Sequence, residues 1–206
     1  MNGKISIWLA LMSFVFACGC GATRPSKYYQ LTVPDDQPPA VDPSPYPITL
    51  LVGSLRASHL YREDHIVYGL GGESMGTYEF QRWVEPPTEM IQEILLRELR
   101  TSGRYKEVDS LRSNSDGDYI LLGRLFDFKE VSANPLVARL TIEMDLRNRK
   151  TAATVWTHYY TRDEPVPKKD VSAVVAALDH NVLLTVAEVK SGLDQFFTAQ
   201  RLQRAP

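Results

Sequence analysis

The chain predicts an α+β domain, a mostly antiparallel sheet with two main helices, the C-terminal one long. Three observations carry that reading. Val137 to Arg147 alternates strictly, with Ala138, Leu140, Ile142, Met144 and Leu146 set against Arg139, Thr141, Glu143, Asp145 and Arg147, the period of a strand with one face packed. Met90, Ile91, Ile94, Leu95 and Leu99 follow helical spacing, and a stripe from Val171 to Phe196 does the same over a much longer span. Strands follow one another with short connections, which favours antiparallel pairing and helices segregated around a sheet.

The elements are read in order. Lys27 to Val33 has β-forming residues able to add a strand. Ile48 to Leu55 reads as a buried strand. Ile66 to Leu70 and Thr77 to Trp83 are short strands around the turn-rich Gly69-Leu70-Gly71-Gly72-Glu73-Ser74. Pro86 and Pro87 suit the first turn of a helix, where a missing N–H costs nothing. That helix is expected over 87–101, with Ser102-Gly103 as its stop. Tyr105 to Val108 is a short strand, and Asp118 to Val131 a long one that is apolar on much of both faces. Asn148-Arg149-Lys150-Thr151 turns Val137–Arg147 into a further strand over 153–162. Asp170 caps the last helix, which runs to about Phe197.

The N-terminus carries a targeting pattern. Lys4 precedes an apolar run from Ile5 to Ala17, too short to span a bilayer, which takes about 20 apolar residues. The run ends at Cys18 and Cys20, the only two cysteines of the chain. Cysteine after a small residue resembles the lipobox of bacterial lipoproteins, whose cysteine sulfur takes a diacylglyceryl group. Cys20, behind the small pair Ala17 and Gly19, fits better than Cys18, behind the bulky Phe16. The expected organisation is a signal peptide over 1–19 (ending at 17 if Cys18 is acylated) and a lipid-anchored Pro-rich tether over 20–45. A single domain over 46–200 and a tail over 201–206 complete it. The tether rests on Pro34, Pro38, Pro39, Pro43, Pro45 and Pro47, which favour stiff extended backbone. Two or more acyl chains make a stable anchor.

Composition narrows the function classes. Lys and Arg number 23 against 25 Asp and Glu, so the basic footprint of a nucleic-acid binder is missing. With both cysteines at the anchor, the body holds no thiol nucleophile, disulfide or zinc–thiolate site. His59, His65, His158 and His180 lack metal-ligand spacing. Neither HExxH nor G-x-S-x-G occurs, and Gly69-Leu70-Gly71-Gly72 lacks the lysine and helix of a phosphate loop. Glu63-Asp64 and Asp116/Asp118 read as solvated loop charge. No catalysis, metal or cofactor is expected.

One cluster stands out, Tyr78-Glu79-Phe80-Gln81-Arg82-Trp83-Val84-Glu85-Pro86-Pro87. Regular alternation would put Tyr78, Phe80 and Arg82 on one face and Glu79, Gln81 and Trp83 on the other. The double proline then forces an abrupt strand-to-helix corner. It reads either as a structural corner, with Trp83 in the core and Arg82–Glu85 as a local pair, or as a partner surface of Tyr78, Arg82, Trp83 and Glu85. Tyr, Trp and Arg supply most interface hot spots.

The cysteine pattern followed by Lys27-Tyr28-Tyr29-Gln30-Leu31 resembles the opening of the ABC-type transport auxiliary lipoproteins. Arg82-Trp83-Val84-Glu85-Pro86-Pro87 is similar to that family's R-W-x-E-P-P corner. Leu99-Arg100-Thr101-Ser102-Gly103-Arg104-Tyr105, Asp118-Tyr119-Ile120-Leu121-Leu122-Gly123 and the Ala176-Ala177-Leu178 helix match its later blocks. The resemblance implies a PqiC-like, non-catalytic component of an MCE-type system moving lipid between the two membranes of a Gram-negative envelope. It implies docking to an MCE-domain protein, a homo-oligomeric ring among the forms this can take, and a place at the periplasmic face of the outer membrane. Glycine after either cysteine favours that sorting by family analogy. The alternative is a lipid-anchored assembly factor or activator of cell-wall or outer-membrane machinery. A long Pro-rich insert after Val33 and the doubled cysteine depart from the family pattern.

Overall fold

The computed structural model describes residues 24–33, 35, 38, 40–42, 44–71, 74–113 and 115–204. The signal peptide, Cys18, Cys20 and part of the Pro-rich segment lie outside the described residues.

Eight strands form one sheet: β1 (Lys27–Tyr29), β2 (Tyr46–Ala57), β3 (His65–Gly71), β4 (Ser74–Trp83), β5 (Tyr105–Ser110), β6 (Tyr119–Val131), β7 (Val137–Asn148) and β8 (Thr154–Pro165). Two helices complete the body, α1 (Pro87–Thr101) and α2 (Val171–Arg204). The α+β class and the long final helix stand. The sheet is mixed. Its longest ladders, β6–β7 and β7–β8, are antiparallel, as is β3–β4. β1–β4, β2–β5, β2–β6 and β3–β6 pair parallel.

β6 is the organising strand. One of its edges carries β7 over the whole length. The other edge is shared, with Leu50–Ala57 of β2 along residues 119–125 and Val67–Gly69 of β3 along 129–131. β6 also carries the bulge between Leu125 and Asp127. Buried positions run Tyr119, Leu121, Leu125 before it and Phe128, Glu130 after it. An extra residue moves the inward set by one position, which is why the segment reads as apolar on both faces.

The inward residues of β7, Ala138 to Leu146, are all buried, as their alternation demands. α2 packs on β7 and β8 and α1 on β2 and β5, and Glu98 of α1 and Lys190 of α2 form an ion pair where the helices meet. Burying a strand face and a helix stripe against each other is the main source of stability here. Asp170 Oδ1 accepts from the Ala173 N–H at 2.8 Å, capping α2. The helix has 34 residues, about 50 Å at 1.5 Å per residue. Over Val171–Gln203 it is long and apolar enough to cross a membrane, yet Val174, Leu178, Val182, Val186, Val189 and Leu193 are buried against the sheet.

The segment ahead of Tyr46 is built into the body at several points. Leu31 is in the core, and the Thr32 N–H and hydroxyl donate to the Asp179 carboxylate at 2.7 and 2.6 Å. Further on, the Ala40 N–H donates to the Thr101 carbonyl at 2.9 Å. Arg104 pairs with Asp42 at 3.0 Å. At the α1 terminus Gly103 has φ +63°, and a Cβ there would lie 1.8 Å from the Ala40 carbonyl oxygen. Glycine takes that conformation without strain, and without a Cβ it allows that approach. At the other end, Arg201 Nη1 donates to the Ser44 hydroxyl at 3.1 Å, so the start of the predicted tail is still helix and still docked.

Candidate functional site

The corner between β4 and α1 gathers the residues singled out above. Pro86 (φ −52°) precedes the helix and Pro87 opens it. The Glu89 and Met90 N–H groups donate to the Pro86 carbonyl at 2.9 and 3.2 Å. Trp83 is 1% exposed and packs on Phe128, ring centroids 5.5 Å apart. It is the pin of the corner, held further by its backbone N–H donating to the Asp64 backbone carbonyl at 2.6 Å.

Tyr78 also faces inward. Its hydroxyl donates to Glu130 Oε2 at 2.6 Å, and its ring lies 4.8 Å from that of Tyr68. Burial, then the hydrogen bond to the Glu130 carboxylate, push the Tyr78 hydroxyl pKa well up. Glu130, 5% exposed, accepts a second bond from the Ser132 hydroxyl at 2.8 Å. Phe128 and Glu130, two apart on β6, share a face, and they meet Trp83 and Tyr78. β4 therefore does not alternate regularly between 78 and 83, contrary to the sequence expectation. The register shift opposite His65 and Val67 supplies the reason, since Arg82 pairs with His65 and Thr77 with Val67. Extra residues in one strand flip the facing set.

Arg82 points the other way. Its Nη1 reaches both oxygens of Asp64 at 2.9 and 3.1 Å. The expected Arg82–Glu85 pair is replaced by this one, because β3 brings the loop carrying Asp64 alongside. Glu63 sits in the same loop, 3.2 Å from His59 and 3.6 Å from His65. Asp64 was legible in sequence only as loop charge, and no local spacing signals a partner in another strand.

The structure adds two residues that the sequence reading left out of the site. β1 lies parallel beside β4, placing Tyr28 opposite Arg82 and Tyr29 opposite Trp83. The Val84 N–H donates to the Tyr29 carbonyl at 2.9 Å. Tyr28 is 59% and Val84 47% exposed, so a tyrosine, a valine and the Arg82–Asp64 pair form one outward patch. Glu85 is exposed at its border and enters a cleft of about 600 Å³ with Arg62, Thr88, Glu89, Glu93 and Arg112. That cleft alternates charge and suits a polar segment.

Among the described residues no group of three or more His, Cys, Asp or Glu is placed to hold a metal. His158 lies on β8 between Trp156 and Tyr160, ring centroids 6.0 and 4.4 Å away. What the corner offers is a contact surface with buried support.

Of the two sequence stretches that meet here, Tyr29 and Arg82 to Pro87 fall in a match to the family model of the ABC-type transport auxiliary lipoprotein component, over residues 29–190, which begins one residue after Tyr28. The chain belongs to this family. The same fold is seen in solved structures. One is protein XCC0632 from Xanthomonas campestris, 22% identical, with a TM-score of 0.72 over 86% of this chain and 99% of that one. A second, an uncharacterized protein, is 14% identical with a TM-score of 0.64 over 81% of this chain and 97% of its own. No curated protein matches the chain. The family assignment makes the chain an auxiliary component of ABC-type transport.

Proposed function

We propose that this auxiliary lipoprotein is the non-catalytic docking component of an MCE-type ABC system that moves lipid between membranes. It is held at the periplasmic face of the outer membrane by acylation at Cys20, or at Cys18. The observation that carries the reading is the union of Tyr28, Arg82, Val84 and Glu85 into one exposed patch braced from below by Trp83 and Tyr78. A surface of Tyr and Arg over a rigid support is the composition of an interface hot spot. Trp83 and Tyr78 act through the patch, since their own side chains are taken up by the core.

The test is capture. Full-length chain in nonionic detergent is expected to retain an MCE-domain protein from the same envelope and to show no turnover of lipid esters. Measurable ester hydrolysis without any MCE partner would overturn the proposal. Capture of cell-wall synthases or outer-membrane assembly proteins in its place would move the reading to an assembly factor.

A further inference from the structure

On the exposed side of β2 and β6, where Arg56 and Arg124 alternate with the buried Leu55 and Leu125, lies a group of cations that form no ion pair among the described residues. Arg56 on β2 and Arg124 on β6 are register partners on adjacent parallel strands, about 4.8 Å apart along the hydrogen-bonding direction. Arg62, in the turn after the 3-10 segment His59–Tyr61, completes the group. The three line a cleft of about 670 Å³ whose other walls are Leu55, Ala57, Ser58, Leu125 and Phe126. No wall residue is acidic.

None of the nearby carboxylates forms an ion pair with these arginines among the described residues. Asp64 pairs with Arg82, Glu63 with His59 and His65, and Asp127 with Lys129. Glu143 is the β7 register partner of Arg124, yet the two form no ion pair. Glu85 and Glu89 belong to the adjoining cleft, which shares Arg62 and Leu55 with this one. Arg56 and Arg62 make no ion pair among the described residues, and the Arg124 guanidinium lies over the Phe126 ring, 5.0 Å from its centroid.

Like charges set opposite one another on neighbouring strands destabilise a sheet. Here two arginines sit so in a chain whose net charge is −2. A bound anion removes that cost. The guanidinium fork matches phosphate oxygens with paired N–H donors, and three forks can share one phosphate. The Ser58 hydroxyl, which makes no capping bond to its turn, adds a neutral donor. Phe126 and Tyr159, 38% and 55% exposed with ring centroids 5.7 Å apart, form an apolar ledge beside the cations.

We infer that the cleft of Arg56, Arg62 and Arg124 is a binding site for a phosphate group, free or carried by a lipid headgroup. The aromatic ledge favours the headgroup. That part rests on the lipid-transport reading, whereas the phosphate site itself does not.

The experiment uses full-length chain in nonionic detergent, titrated with inorganic phosphate, glycerophosphoglycerol and the dicarboxylate glutarate at constant ionic strength. Binding is read by calorimetry and by the melting temperature. Both phosphate probes are expected to raise the melting temperature, and glutarate to do so far less. R56Q and R124Q are expected to weaken phosphate binding about tenfold or more. Without anion they are expected to melt no lower than the parent chain, because a repulsion has been removed. Tighter binding of glycerophosphoglycerol than of inorganic phosphate assigns the site to a headgroup; the reverse order removes the lipid assignment. A parent chain that responds to no phosphate probe, or that responds equally to glutarate, overturns the site. So do variants that respond as the parent does. MCE-protein capture by the parent chain is read in parallel. Failure of that capture, with phosphate binding intact, would sink the docking proposal and leave this site standing.

Discussion

Arg82 reaches back across the sheet to Asp64, its Nη1 lying 2.9 and 3.1 Å from the two carboxylate oxygens. This pair faces outward over Trp83, which faces inward. Neighbouring residues of one strand therefore divide surface and support between them.

That division predicts opposite mutant signatures. Arg82→Ala is expected to weaken partner capture while costing at most about 1 kcal/mol, since the ion pair is partly exposed. For a chain of this size that is a fall of about 2–4 °C in melting temperature. Trp83→Ala should cost about 3–5 kcal/mol by opening a cavity against Phe128. Equal thermal losses in the two variants would contradict the assignment.

Tyr78→Phe removes one of the two donors that hold the buried Glu130 carboxylate. The cost is expected at about 1.5–3 kcal/mol, the range for a hydrogen bond to a charged group. Chemical denaturation of both proteins at pH 7 checks it, and an unchanged midpoint would mean that water takes the place of the phenol.

Gly103→Ala should destabilise by more than about 1 kcal/mol, because alanine is strained at positive φ and its Cβ would meet the Ala40 carbonyl. Relief would require the 40–42 stretch to lift from α1. Faster proteolysis in that stretch, alongside a lower urea midpoint, is the expected result.

Acid should weaken the sheet edge. The hydrogen bonds from Arg139 hold the Asp163 carboxyl below its ordinary value of 3.8, and the Ser115 hydroxyl, with Arg100, does the same for Asp109. A carboxyl whose folded pKa is depressed stabilises the fold above its unfolded pKa, and that stability is lost as pH falls through the folded value. Asp163→Asn should therefore lower stability at pH 7, by less than about 1 kcal/mol for so exposed a pair. The difference from the parent should shrink below pH 4, near and under the ordinary value. Denaturation midpoints across pH 2–7 test the sign.

Cys20→Ala should release the protein from membranes, and Cys18→Ala should leave it bound. The intact mass of the mature N-terminal peptide identifies the acylated sulfur directly.

Local pattern was enough for much of this molecule. The β7 alternation predicted five buried side chains, and all five are buried. Pro87 and Gly103 bounded α1, because one residue lacks an N–H and the other accepts positive φ. Asp170 was readable as the cap of α2 from its chemistry alone. Each of these is decided by interactions within a few residues, so sequence by itself determines it, together with the anchor pattern and the lack of catalytic motifs.

The site needed the tertiary structure. A bulge in β6 and a register shift in β4 turned Tyr78 inward, and nothing in the alternation of 78–83 announces an inserted residue. Asp64 meets Arg82, Tyr28 lies beside Arg82, and Arg56 beside Arg124, only because the strands carrying them are neighbours in the sheet. Pairing between distant strands depends on the total burial of a whole face, which no local window contains. What the chain can contact was settled there, by strand order and register.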